Sequence, residues 1–285
     1  MGALCGRPLR EGPLVHALPL AVAIAAALVL APALRRTLAA DGRTRPNYRG
    51  AELPFPFGVL IMAAALLALI VLAPIDQVTD GDVFLADLAW IAPYALGVAF
   101  LGLADDALSG PSRGWRGHGA ALRGGQFPTG ALKAAGSLGL ALFVLRGHDD
   151  YVLAVIVLVL ATNLFNLLDL RPGRAVKAFV LLGAGLTLGA WDVDPLWALG
   201  LLAGPVLVAG AYDLRERAML GDTGANLVGA LAGLWLVLTL STTGLAVAAA
   251  VLLVMTAYGE LRSINTLVER TPVLRHLDSI GRPHA

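Results

Sequence analysis

The chain has 285 residues, of which 58% are hydrophobic and only 14% are charged. Ordinary soluble domains carry about 25% charged residues, so the composition excludes a disordered chain, a nucleic-acid-binding protein and a typical water-soluble enzyme. The net charge is +1, and the single cysteine, Cys5, excludes an intramolecular disulfide framework. We therefore predict one polytopic membrane domain over residues 1–285.

Nine apolar segments are candidates for membrane spans, since a hydrocarbon core of about 30 Å needs about 20 apolar residues per helix. The sequence predicts these spans at 13–34, 55–73, 83–103, 129–146, 151–168, 176–190, 195–211, 224–240 and 243–261. The predicted fold class is therefore all-α, a polytopic helical bundle of about nine transmembrane helices.

Lysine and arginine are unevenly distributed between the two sets of loops. One set, with Lys177 at its edge, carries 17 basic residues and the other carries three. The richer set comprises loops 35–54, 104–128, 169–175 and 212–223 and a tail, 262–285. The positive-inside rule places this set in the cytoplasm, with the N-terminus outside and the C-terminus inside. We expect a multi-pass protein of the inner (plasma) membrane.

The third predicted span is followed by two adjacent acids, Asp105 and Asp106. Neighbouring carboxylates at a membrane edge repel each other and persist most easily when a metal ion or a basic ligand neutralises them. A solvated helix end is the alternative interpretation.

The fifth predicted span ends with Asn163, Asn166 and Asp169. A spacing of three residues keeps these side chains on one helix face over two turns. Two amides and a carboxylate suit a polar ligand, whereas asparagine also joins helices to one another in lipid. We favour a binding site.

The eighth predicted span is preceded by Gly221 and Asp222 and continues with Gly224 and Asn226. Asp222 is either a helix N-cap or a Mg²⁺ ligand beside phosphate groups, because helix starts favour anions and glycine lets backbone approach a ligand. Lys133, early in the fourth span, either snorkels to the interface or binds phosphate.

These polar features all fall on the predicted cytoplasmic side, although the topology rests on lysine and arginine alone. Together they predict a phosphate-and-metal site at the lipid boundary. Arginines in the same loops suit an anionic substrate, but they also simply follow the positive-inside rule: Arg43, Arg45, Arg49, Arg113, Arg116 and Arg123.

Three motifs in order carry a resemblance to a known family. They are Asp105-Asp106, Asn163-x-x-Asn166-x-x-Asp169 and Gly221-Asp222-x-Gly224-x-Asn226. The set resembles the polyprenyl-phosphate N-acetylhexosamine-1-phosphate transferase superfamily, glycosyltransferase family 4. This superfamily includes the phospho-MurNAc-pentapeptide translocase and bacterial GlcNAc-1-phosphate transferases. The resemblance covers about residues 40–265.

The resemblance implies transfer of a sugar-1-phosphate from a UDP-N-acetylhexosamine-type donor to polyprenyl phosphate, with release of UMP. It implies Mg²⁺ as cofactor, with Mn²⁺ as the alternative, and a role in cell-envelope polysaccharide or peptidoglycan precursor synthesis. The implied partners are the UDP-sugar, polyprenyl phosphate and the bilayer, with no nucleic acid. A homodimer would be similar to better-known members.

Residue roles follow from the resemblance in three groups. Catalysis falls to Asp105, the expected base, and to Asp106, Lys133 and Asp169. Metal binding falls to Asp222 and Asp106. Substrate binding falls to Asn163, Asn166, Asn226 and Arg49.

Some family features are replaced in this sequence. Asp169 is followed by Leu170-Arg171-Pro172-Gly173 where the family usually has Gly-x-Asp-Gly, and the His-rich loop before the last helix is not recognisable. Two alternatives therefore stay open, a catalytically inactive relative that acts as a scaffold and a secondary transporter. A transporter would carry its acids along a midplane pathway.

Overall fold

The computed structural model describes residues 15–79, 83–108 and 129–283. Residues 109–128, with Arg113, Arg116 and Arg123 of the predicted basic loop, lie outside this description, as do residues 1–14. The described parts form eleven α-helices and one antiparallel β-hairpin. In chain order these are α1 (Leu18–Ala40), β1 (Thr44–Pro46), β2 (Glu52–Pro54), α2 (Val59–Val78), α3 (Leu88–Leu108), α4 (Thr129–Val144), α5 (Tyr151–Leu168), α6 (Arg174–Ala190), α7 (Asp194–Leu214), α8 (Gly221–Thr239), α9 (Thr242–Leu261), α10 (Ile264–Arg270) and α11 (Pro272–Ser279).

Among the described residues, seven helices are long and apolar enough to cross a membrane, namely α1, α2, α3, α5, α7, α8 and α9. The protein is therefore all-helical and has the build of a polytopic membrane bundle. The other two predicted spans are occupied by α4, with 16 residues, and α6, with 17. Both are shorter than the roughly 20 residues that cross a bilayer upright, so a count of nine crossings stays a prediction.

Several helices extend beyond the predicted apolar segments. The first three end at Ala40, Val78 and Leu108, past the predicted limits at 34, 73 and 103. Hydropathy marks only the lipid-buried part of a helix, whereas backbone hydrogen bonding continues into the interface, where charged side chains such as Arg35 and Arg36 reach water.

Helix α8 forms the centre of the bundle. In the apolar stretch of α8, 89% of the residues are buried. In α9 the share is 11%, and this helix exposes aliphatic side chains as a lipid-facing helix does. Glycines let the neighbouring helices approach α8. A Cβ at Gly229 would lie 2.7 Å from Thr162 Cα of α5, and one at Gly183 of α6 would overlap the Trp235 ring.

Successive helices alternate in direction, so one end of the bundle collects the C-termini of α1, α3, α5, α7 and α9 and the N-termini of α2, α4, α6 and α8. The β-hairpin lies at this end, which we call the hairpin end. Backbone hydrogen bonds fix it against the α7–α8 loop, with Met219 N donating to Pro54 O at 3.0 Å and Phe57 N donating to Met219 O at 2.7 Å. The three sequence motifs therefore all reach the same end of the molecule.

Candidate functional site

Asp106 of α3 caps the first turn of α8. Its Oδ1 accepts a hydrogen bond from Asp222 N at 3.0 Å, and its Oδ2 accepts from Thr223 N at 2.8 Å and Thr223 Oγ1 at 2.6 Å. The first backbone N–H groups of a helix lack partners within the helix, and a carboxylate there also complements the helix dipole. Asp106 thereby fixes the backbone that carries Asp222.

Glycines allow α3, α8 and the hairpin to meet around this cap. A Cβ at Gly102 would overlap the Asp222 carbonyl oxygen, and a Cβ at Gly58 would overlap the Gly224 backbone. Gly221 has a φ of +72°, and a side chain there would also meet Asp106 Oδ2 at 2.7 Å. The glycines that flank Asp222 in sequence are therefore needed for close backbone packing.

Lys133 of α4 joins the first and third motifs. Its Nζ donates to Asp222 Oδ2 at 2.7 Å and to Asp105 Oδ2 at 3.1 Å. The side chains of Lys133, Asp105 and Asp222 are 19%, 13% and 35% exposed. Of the three, the Asp222 carboxylate is the one most open to solvent.

Asn166 of α5 brings the second motif to the same carboxylate, because its Nδ2 donates to Asp222 Oδ1 at 3.0 Å. Asp222 thus receives hydrogen bonds from two further helices. It occupies the second position of α8, and Leu220 is the N-cap, so the N-cap alternative for Asp222 is wrong.

The three asparagines predicted to bind substrate lie in different surroundings. Asn163 is half-buried. Asn226, one turn beyond Asp222 along α8, is 1% exposed, and its Nδ2 has no hydrogen-bond partner within the described residues. Only Asn166 of the three predicted amides contacts the Lys133 network directly.

Asp169 follows the end of α5 and lies among other acids. Burial, followed by the negative charges of Asp213, Asp222 and Asp106, raises the pKa of Asp169 well above its usual value. Asp213 Oδ2 accepts a hydrogen bond from Gly173 N at 2.6 Å, which ties the short α5–α6 loop to α7.

Arg49 has a structural partner that the sequence did not predict. Its guanidinium donates to Glu216 Oε2, with Nη2 at 2.7 Å and Nε at 3.1 Å. Asn47 Nδ2 donates to the same oxygen at 2.9 Å, and Tyr48 OH donates to Oε1 at 3.3 Å. Glu216 thus joins the hairpin turn to the α7–α8 loop by hydrogen bonds. Arg49 is part of this contact and does not contact Asp105 or Asp222.

Arg45 lies closer to the acids than its neighbours in the hairpin. Its Nη2 donates to the Asp106 carbonyl oxygen at 2.9 Å, and its guanidinium stacks 4.0 Å from the centre of the Phe55 ring. The sequence offered no way to separate Arg45 from the other loop arginines, because the positive-inside rule accounts for all of them equally.

The charge balance of the cluster bears on cation binding. Asp105, Asp106, Asp169 and Asp222 bring four carboxyl groups to one region, and Lys133 neutralises part of the charge of Asp105 and Asp222. Carboxylate oxygens are the ligands that Mg²⁺ prefers, so the donor set fits a hard divalent cation by its chemistry. Within the described residues, however, no three His, Cys, Asp or Glu side chains gather closely enough to form a metal cage by themselves.

Comparison of the chain with protein-family models and with curated proteins gives no match. The function of the protein is therefore inferred from its residues and their arrangement.

Proposed function

We propose that the protein transfers a sugar-1-phosphate from a UDP-sugar to a polyprenyl phosphate at the cytoplasmic face of the inner membrane. The donor class is UDP-N-acetylhexosamine, and the product serves envelope polysaccharide or peptidoglycan precursor synthesis. A phosphate oxygen of the lipid attacks the sugar-linked phosphorus of the donor, and the bond from that phosphorus to the bridging oxygen breaks. UMP leaves, and the lipid carries the sugar through a new diphosphate.

The observation that carries the proposal is the position of Lys133 Nζ between Asp222, at 2.7 Å, and Asp105, at 3.1 Å. Four separate helices supply Asp105, Lys133, Asn166 and Asp222, which share one hydrogen-bonded network. A purely structural helix end needs no such convergence of charge. Phosphoryl transfer does, because its catalysis consists mostly of positioning and charge neutralisation.

The place of the network in the bundle also suits the two substrates. A polyprenyl phosphate keeps its chain in lipid and its phosphate at the interface, whereas a UDP-sugar arrives from water. The acids and Lys133 lie at helix ends instead of the middle of the spans, which favours an interfacial enzyme over a midplane transport pathway.

Each group has a role in this proposal. Asp222 is the residue that would hold Mg²⁺, with Asp106 supporting it, and the bound metal would neutralise diphosphate charge. Asp105 accepts any proton left on the lipid phosphate. This demand is modest, because a phosphate monoester has a second pKa of about 6. Lys133 neutralises phosphate charge, and Asn166 orients the Asp222 carboxylate.

The test is UMP release by the purified protein in detergent, with polyprenyl phosphate, Mg²⁺ and a panel of UDP-sugars. We expect UMP only when lipid and one class of donor are both present. Failure to release UMP with every donor would favour the inactive-scaffold or transporter alternatives.

A further inference from the structure

The C-terminal segment is bound to the hairpin end by a dense set of contacts. Arg174, at the start of α6, donates to both carboxylate oxygens of Asp278, at 2.8 and 2.9 Å, and Lys177 donates to backbone carbonyls at the end of α11. Arg282 donates back to Pro172 O at 3.0 Å. The position of α11 relative to the bundle is therefore fixed.

Helix α11 exposes an aliphatic face in spite of this docking. Val273, Leu274, Leu277 and Ile280 are 68%, 38%, 38% and 50% exposed. At about 100° per residue, Val273 and Leu277 share one side of the helix and Arg275 lies nearly opposite. The contact through Asp278 thus leaves the aliphatic face uncovered by the rest of the described chain.

The C-terminal end of α11 docks next to exposed apolar side chains of α6. Lys177, which binds the end of α11, is one helical turn before Val180 and Leu181 on α6. These two side chains are 43% and 58% exposed along an apolar helix. On a chain of this apolar composition these side chains are expected to face lipid, which would place the docked end of α11 near the boundary of the hydrocarbon belt.

The charge of the same segment complements an anionic surface. Residues 262–283 contain four arginines and two acids. Asp278 is paired with Arg174 and Arg282, and Glu269 faces Arg171 at 3.5 Å. Arg262, Arg270 and Arg275 are exposed. A helix with one uncovered apolar face, in a segment that also carries exposed arginines, is typical of chains that lie in the plane of the membrane interface.

We propose that α11 is an in-plane anchor whose aliphatic face is covered by the headgroup region of an anionic bilayer. Its side chains Val273, Leu277 and Ile280 enter the interface, and Arg262 and Arg270, which precede α11 in the same segment, contact acidic headgroups. This inference does not depend on the phosphosugar transfer. The contacts of Arg174 and Lys177 hold the C-terminal end of this helix on the bundle.

The test uses the full-length protein in lipid nanodiscs, with Cys5→Ser as background and an environment-sensitive fluorophore on Val273→Cys. Arg275→Cys, on the opposite side of α11, is the matched control. We expect lipids that carry a quenching spin label near the headgroup to quench the fluorescence of the Val273 probe at least about twofold more than that of the Arg275 probe. Replacing anionic lipid by phosphatidylcholine should reduce this difference.

Three results would overturn the proposal. Equal, weak quenching of both probes would show that the aliphatic face is in water. Shielding of the Val273 probe only in nanodiscs that hold two protein copies would assign the face to a second copy of the chain. Identical quenching in neutral and anionic lipid would remove the role of the arginines. None of these readouts involves enzymatic activity.

Discussion

At the scale of single residues, Lys133 determines the charge balance of the candidate site. It contacts Asp105 and Asp222 in a partly shielded position, where electrostatic interactions are stronger than in bulk water. Residues 133 and 222 are separated by 89 positions, and only the packed fold brings them together.

Lys133→Met should destabilise the protein because it leaves Asp105 and Asp222 without their shared cation. We expect a loss of about 1–3 kcal/mol in the free energy of unfolding, the range for removing one partner of a shielded polar contact. Thermal unfolding in detergent would measure it. Because a divalent cation can replace the ammonium, Mg²⁺ should raise the Tm of this variant more than that of the wild type.

The matched control for this prediction is Lys177→Met, which loses contacts to α11 and none to the acid cluster. Its Tm should respond to Mg²⁺ as the wild type does. Equal responses of Lys133→Met and Lys177→Met to Mg²⁺ would contradict the replacement of the Lys133 ammonium by a divalent cation.

Some residues of the site were predictable from sequence for a physical reason. Acids at a membrane edge are costly, so Asp105, Asp106 and Asp222 stand out from an apolar background. Glu216 and Arg45 do not stand out, since charged loop residues are ordinary. Arg49 was predicted to bind substrate as one of several loop arginines that suit an anion, but its contact with Glu216 depends on loop packing that no local pattern encodes.

At the scale of elements, the contact between α3 and α8 positions the acids. Gly102 permits the close approach, and Asp106 caps the helix it approaches. The existence of both helices follows from their apolar composition. Their ends do not, because hydropathy falls off before the backbone hydrogen bonds end.

Gly102→Ala should disturb this contact, since the added methyl group would overlap the Asp222 carbonyl oxygen. We expect a loss of about 1–3 kcal/mol, as for other overpacked positions. Gly139→Ala on α4 is the control, because a Cβ there has nothing within 4 Å. That change should be neutral or stabilising by up to about 1 kcal/mol. Tm values in detergent would compare them, and equal effects would contradict the close α3–α8 packing.

At the scale of the whole molecule, the hairpin end gathers the acid cluster, the hairpin and the C-terminal tail. The bundle architecture could be predicted from composition and spans. The docking of the tail could not, because α10 and α11 are short and their contacts with Arg174 and Lys177 are tertiary.

Docking of the tail should depend on pH through Asp278. Burial raises the pKa of Asp278, but the hydrogen bonds and positive charges of Arg174 and Arg282 outweigh it and hold the pKa below its usual range. The docked state therefore binds fewer protons than the undocked state. The stability that ionised Asp278 adds to docking is complete above about pH 4. It is lost as the pH falls through the lowered pKa.

Fluorescence anisotropy of a probe on Arg275→Cys in the Cys5→Ser background would follow this docking. We expect high anisotropy at pH 7 and 5 and a fall below about pH 4. Asp278→Asn removes the charge, so its tail should be more mobile and should not respond to pH in this range. A wild-type tail that stays immobile down to pH 2 would contradict the role of Asp278.

The predicted orientation has its own test. The excess of basic residues in the loops of one side predicts that the C-terminus lies in the cytoplasm. A fluorescent reporter fused to the C-terminus should therefore be active, whereas an alkaline phosphatase fusion at the same place should be inactive. The opposite pattern would put the acid cluster on the face that UDP-sugars do not reach.

The most direct test of the account is transfer of label from a UDP-sugar with ³²P in its β-phosphate to polyprenyl phosphate. We expect the wild type to move the label into organic-extractable lipid. Asp222→Asn should reduce the rate by about a hundredfold or more while folding normally, because it removes a charge that the transition state needs. Asp192→Asn, at the opposite end of the bundle, should transfer label at the wild-type rate. Label that stays in the aqueous phase with the wild type, or undiminished transfer by Asp222→Asn, would contradict the proposed site.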